Sequence, residues 1–180
     1  MMERLNRSGQ RRPDVRRSRR TVQRGFTLVE LMVTIVITAI LAGIAMPSAT
    51  EMMLSGKLTM IVNSMVSSVQ LARSEAIKRN ARVTLCASSN GSTCTGGWKD
   101  GWIVRALDGT VISTQAPLPN GFKVWSGNTS IVFNSTGLAS SSSWFYVCRA
   151  TPTVGKQARY LDISATGRAR VQTWDWNWCG

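Results

Sequence analysis

Arg24-Gly25-Phe26-Thr27-Leu28-Val29-Glu30 runs straight into residues 31–50, LMVTIVITAILAGIAMPSAT, which carry no charge over 20 residues. A helix rises about 1.5 Å per residue, so this run is long enough to cross the roughly 30 Å hydrocarbon core of a bilayer. What precedes it is strongly basic. The first 25 residues hold nine arginines against Glu3 and Asp14, a net +7 of the chain's +13, and the rest of the 180 residues keeps +6. Positive flanks stay on the cytoplasmic side of a span, which puts residues 1–25 in the cytoplasm and everything after about Thr50 across the membrane. All four cysteines follow the span, on the side where disulfides persist.

A secretory signal peptide has a shorter apolar core that ends in a small-residue cleavage site. Here the distinctive junction lies before the apolar run. A basic residue and Gly25, then Phe26, then Glu30 as the fifth residue counted from Phe26, all ahead of a long apolar helix, resemble the recognition sequence of type IV prepilins and pseudopilins. The resemblance implies cleavage between Gly25 and Phe26 by a prepilin peptidase of the inner membrane, N-methylation of Phe26, and loss of residues 1–25 as a leader. Met2 offers a second start for that leader. Pro47 falls where pilins often carry a helix-bending proline. Glu30 is the single charge within the apolar segment, and a carboxylate at mid-bilayer costs roughly 2.5 to 3.5 kcal/mol on insertion scales. It needs a partner or a hydrated interface, and the resemblance assigns it to filament assembly, against the N-terminal amine of a neighbouring subunit.

Beyond Pro47 the apolar residues retreat to one side. Leu54, Leu58, Ile61, Val62, Met65, Val66, Val69, Ala72 and Ala76 recur at helical spacing, while Ser55, Lys57, Asn63, Ser64, Ser67, Gln70, Arg73 and Lys78 fill the opposite face. The helix is expected to end near Asn80 with a Glu75/Arg79 pair in its last turn. After Asn80, β-branched and aromatic runs predict strands near 82–87, 101–106, 110–115, 122–125, 130–134, 143–149, 158–164 and 168–173, punctuated by turns such as Asp108-Gly109, Asn120-Gly121 and Thr136-Gly137. The expected fold is α+β and type IV pilin-like. One long N-terminal helix, transmembrane over 26–52 and amphipathic beyond, packs on an antiparallel β-sheet or small β-sandwich, and 53–180 form a globular periplasmic domain.

The chain has no histidine, which removes Ser-His-Asp and Cys-His nucleophiles and imidazole-bound zinc, so no enzyme activity, cofactor, metal or catalytic residue is expected. Cys86, Cys94, Cys148 and Cys179 include no C-x-x-C pair, which favours two disulfides over a thiolate zinc site. A Cys86–Cys94 bridge would close a short loop containing Asn90-Gly91 and leave Cys148 for Cys179. Four cysteines allow three connectivities, and the other two stay open at this point.

Over residues 149–173, Arg149, Lys156, Arg159, Arg168 and Arg170 face only Asp162. The run Gly167-Arg168-Ala169-Arg170 resembles the Gly-Arg-x-Arg motif of FimT-type minor pilins of the GspH/FimT family, in which these arginines contact DNA taken up in natural transformation. On a strand, Arg168 and Arg170 would point the same way and fork onto successive phosphates. Trp174, Trp176 and Trp178 alternate next to them, suited to stacking on unpaired bases or to packing. The resemblance therefore implies a minor type IV pilin that binds DNA, with other major and minor pilins, the prepilin peptidase and the inner membrane as its further partners, and the pilus surface as its destination. Two rivals share the N-terminus: an H-type pseudopilin of a type II secretion system without DNA binding, and a minor pilin that primes pilus assembly. Intact mass of the membrane-extracted protein is expected to give a chain starting at methylated Phe26; an N-terminus after Ala45 or Ala49 would mean ordinary secretion.

Overall fold

The computed structural model describes residues 25–151, 158–174 and 179. Contacts divide the chain into two compact units, residues 1–42 and 43–180. Helix α1 spans Leu28–Arg79 and begins in the first unit. Thr27 caps it: the Glu30 N–H donates to Thr27 Oγ1 at 3.2 Å and the Leu31 N–H to the Thr27 carbonyl at 3.1 Å. Thr27-x-x-Glu30 thus has the Ser/Thr-x-x-Glu form of a helix start, with the acid in the first turn where the helix dipole favours it. Every large apolar side chain from Leu28 to Leu41 is more than half exposed, and an 18-residue window of α1 reaches a mean hydropathy of 2.4. A helix apolar on all sides and uncovered by its own chain is built to be surrounded by lipid or by other protein.

In the second unit α1 becomes one-sided, as its sequence predicts. Leu58, Val62, Met65, Val69, Ala72 and Ala76 are buried, whereas Lys57, Asn63, Ser67 and Gln70 are exposed. Ser68 is the buried polar residue of this face, and it is satisfied twice: its hydroxyl donates to the Ser64 carbonyl at 2.8 Å and accepts the Trp102 indole N–H at 2.9 Å. The helix ends in a Schellman arrangement. Asn80 takes φ +49°, its N–H donates to the Ile77 carbonyl, and the Ala81 N–H reaches back to Ala76. In the last turn Glu75 accepts from Arg79 at 2.8 Å and Lys78 at 3.3 Å, and these two donors, Arg79 first, hold its carboxyl below the ordinary glutamate range.

Eight strands follow among the described residues: β1 Val83–Ala87, β2 Trp102–Ala106, β3 Val111–Gln115, β4 Phe122–Ser126, β5 Ser130–Phe133, β6 Ser143–Arg149, β7 Ala158–Ile163 and β8 Ala169–Trp174. Each lies within one residue of its expected bounds, because the Gly-containing turns between them were explicit in the sequence. They form two four-stranded sheets, β3-β2-β1-β5 and β4-β6-β7-β8, and all the pairings are antiparallel. One apolar core joins the α1 stripe to inward residues of both sheets, among them Leu85, Val104, Ile131 and Phe133 from the first and Phe145, Val147, Leu161 and Ile163 from the second.

An element absent from the sequence reading is a single 3-10 turn, Trp98–Asp100. It delivers Trp98 into the core, where the indole N–H donates to the Asn128 carbonyl at 2.7 Å and the ring stands edge-on to Phe145 at 4.7 Å. The Cys86–Cys94 disulfide closes the loop just before this turn. A second disulfide joins Cys148 to Cys179 on the face of the second sheet turned away from α1, where Trp125, Tyr146 and Ala150 pack around it. By loop closure the two bridges, with separations of 8 and 31 residues, are expected to contribute about 2.5 and about 3.7 kcal/mol respectively. Denaturant unfolding of Cys86→Ser/Cys94→Ser and Cys148→Ser/Cys179→Ser variants measures both, and equal, negligible losses would contradict the connectivity.

Candidate functional site

The β7–β8 hairpin carries the Gly-Arg-x-Arg run. Its ladder pairs Leu161 with Val171, Asp162 with Arg170 and Ile163 with Ala169, and the turn between the strands is closed by the Ser164 N–H on the Arg168 carbonyl at 3.0 Å. The Ser164 hydroxyl accepts the Arg168 N–H at 3.2 Å and lies 2.8 Å from the Thr166 hydroxyl, so this five-residue turn is held from within. Leu161, Ile163 and Ala169 pack into the core. Alternation therefore sets Arg170 on the outer face, Arg168 lies just before the last rung of the ladder, and both are exposed. Arg168 precedes β8 instead of belonging to it. Asp162 stands across from Arg170 without an ion pair; the ion pairs among the described residues are those of Glu75.

Gly167 is buried and takes φ +74°, a conformation costly for any residue with a Cβ. A Cβ there would stand 2.8 Å from the Gly137 carbonyl oxygen and 3.1 Å from Cδ of Arg73. Gly137, at φ +79°, is crowded in the same way by Ile77 and Arg73. Its turn is organised by Asn134 Oδ1, which accepts the Thr136 and Leu138 N–H groups at 3.0 Å, and the Ala139 N–H ties this turn to Ala165 of the hairpin at 2.9 Å. Two glycine turns from different sheets thus close over one helix arginine.

The other cations singled out in the sequence separate by burial. Arg149 is a correction to the surface reading: its side chain is only 1% exposed. It continues the inward alternation Phe145, Val147, Arg149 and pairs with buried Phe122, so it stands inside the fold and not among the solvent-facing cations. Arg159, on the inward series with Leu161 and Ile163, is half-buried and spends its fork on the Ala158 carbonyl at 2.9 Å and on Ser55 of α1 at 3.4 Å. Lys156, Trp176 and Trp178 lie outside the described residues, and Trp174 ends β8 opposite Ala158. The outer face of the second sheet carries other aromatics instead: Trp144, 40% exposed, stacks on Tyr160 at 6.3 Å, and Trp125 lies 5.9 Å from Tyr146. Burial pushes the Tyr146 phenol above its ordinary range. At the other end of the chain Gly25 and Phe26 precede α1, exposed, and Glu30 sits in its first turn. Arg73, which the two glycine turns approach, is in the sequence only one of the polar-face residues of α1, with no signal to set it apart.

The family described as type II transport protein GspH matches residues 62–167, and the prokaryotic N-terminal methylation motif matches residues 20–46. The chain belongs to the GspH family. The crystal structure of the type IV minor pilin FimU from Pseudomonas aeruginosa is similar at 18% identity and a TM-score of 0.50, over 70% of this chain and 92% of that one. The minor pseudopilin EpsH from the type 2 secretion system of Vibrio cholerae is 10% identical with a TM-score of 0.49, over 65% of this chain and 97% of that one. No individual curated protein matches by sequence. The likeness to FimU concerns the fold. Family and methylation motif together make this GspH-family chain a minor pilin or pseudopilin, with an apolar N-terminal helix suited to anchoring in the inner membrane.

Gly167→Ala is expected to destabilise the second unit by about 1 to 3 kcal/mol, from the left-handed backbone and the contact with the neighbouring turn. Gly56→Ala, in a helical position with open space around it, is expected to be neutral or to stabilise by up to about 1 kcal/mol. Denaturant unfolding of the two variants side by side checks both signs.

Proposed function

We propose that this chain is a minor type IV pilin that binds DNA without sequence preference through the hairpin turn carrying Gly167, Arg168 and Arg170, for uptake in natural transformation. The observation that supports it is the exposure of Arg168 and Arg170 at the turn end of the β7–β8 hairpin, while Arg149 and Arg159 are drawn inward. A guanidinium fork fits a phosphate in two-point fashion, and phosphate contacts fix position on nucleic acid without reading bases. In this reading prepilin peptidase removes residues 1–25, Phe26 is methylated, and the chain waits as a single-pass protein of the inner membrane with residues 53–180 in the periplasm. Glu30 then engages the N-terminal amine of a neighbouring pilin as the chain enters the filament and reaches the cell surface.

The second reading is an H-type pseudopilin of a type II secretion system, or a minor pilin that primes assembly, with protein neighbours only. It is favoured by the family's description and by an open apolar groove of about 310 Å³ lined by Met60, Ile61, Trp102, Pro117, Leu118 and Pro119. Salt titration of duplex binding by the full chain in neutral detergent separates the two. Replacing both Arg168 and Arg170 with Ala is expected to lower the slope of log K against log salt by roughly 1.8, at about 0.9 per phosphate contact. Thermal stability should change by no more than about 0.5 kcal/mol, since both side chains are exposed. The leader arginines are common to both proteins and cancel in the comparison. An unchanged slope removes the DNA reading in favour of the pseudopilin.

A further inference from the structure

We infer that Arg73 of α1 is a third phosphate-binding cation of the hairpin turn, an inference that rests on the DNA reading above. Arg73 follows buried Ala72 on the helix, so its stem leaves the core at the rim and is half-buried there. Its Cδ and Nε lie 3.1 and 3.4 Å from the position a Cβ on Gly167 would occupy, and its Nε lies 3.2 Å from the corresponding position on Gly137. The bare backbones of two left-handed glycines therefore leave room for the end of the stem and for Nε, the first nitrogen of the charged head. Arg168 is the residue after Gly167, about 3.8 Å away from Cα to Cα.

The charges around this head leave it available. Glu75, the acid nearest on the same helix, is already held by Arg79 at 2.8 Å and Lys78 at 3.3 Å. Asp162, the acid of the hairpin, stands opposite Arg170 on the outer face of the sheet. No ion pair involves Arg73 among the described residues. Three guanidinium groups thus border one turn, Arg73 from the helix side and Arg168 and Arg170 from the outer side. A phosphate backbone lying across residues 164–168 meets cations on both flanks.

Duplex binding by the full chain in neutral detergent, followed by fluorescence anisotropy over a salt series, tests this. Arg73→Gln and Arg73→Met, which keep most of the stem and remove the charge, are each expected to lower the salt slope by roughly 0.9, the value for one duplex contact. Arg73→Lys should keep the wild-type slope. The two neutral variants differ in how they pack, so a slope lost in both while Arg73→Lys retains it marks a charge effect and not a disturbed turn. Wild-type slopes in Arg73→Gln and Arg73→Met, with the slope still lost in Arg168→Ala/Arg170→Ala, overturn the role of Arg73 and leave the DNA reading standing. Wild-type slopes in all of these variants overturn the DNA reading itself.

Discussion

Both sheets rest on one stripe of α1: Leu58, Val62, Met65, Val69, Ala72 and Ala76. Each of these side chains is at most 2% exposed. Burying the four large ones is worth about 1.5 to 3 kcal/mol apiece, or about 6 to 12 kcal/mol together. A domain's net stability is about 5 to 15 kcal/mol, so this stripe is comparable to the whole margin. Without it each four-stranded sheet would present an apolar face to water. The same constraint fixes the rotation of α1. With Val69, Ala72 and Ala76 turned inward, Arg73 must leave the core at its edge, about 100° around the helix from Ala72. The position of a candidate functional cation is in this sense a consequence of core packing.

The periodicities made most of the fold legible in advance. The α1 stripe was readable because its apolar residues recur at helical spacing up to Ala76, and the strands were readable because turns such as Asp108-Gly109 and Thr136-Gly137 interrupt β-branched runs. Cys86 and Cys94 were readable as a local pair from the short loop between them. Trp98 was not, because a three-residue turn that inserts one ring has no periodicity; what holds it is the Asn128 carbonyl from a distant turn. The choice between one sheet and a small sandwich of two stayed open in the sequence, since it turns on pairings that chain order does not reveal: β4 pairs with β6 and not with its sequence neighbour β5.

The candidate site was legible in charge and only partly in geometry. Counting cations between 149 and 173 grouped Arg149 and Arg159 with Arg168 and Arg170. Strand alternation would have separated them: Phe145-x-Val147-x-Arg149 and Arg159-x-Leu161-x-Ile163 place both arginines on the apolar series. The two positions differ. Arg159 sits at the end of its series, where its fork reaches the backbone and Ser55. Arg149 ends β6, next to the β4 residue Phe122 that closes the core. A stretch rich in positive charge is thus sorted by register before it is sorted by function.

Within the Gly-Arg-x-Arg run the glycine and the arginines answer to different constraints. Arg170 takes the outer face from strand alternation, and Arg168 is exposed beside it at the edge of the turn. Gly167 answers to the inside of the fold, where the Gly137 carbonyl and the Arg73 stem come too close for a Cβ. The same four letters on a hairpin that did not rest against a second glycine turn would still favour glycine for its left-handed backbone, but would have no cation arriving from the helix. What distinguishes this surface is therefore the convergence of the turns at Gly137 and Gly167 on Arg73, a contact among residues that sequence order keeps far apart and that only the packed core brings together.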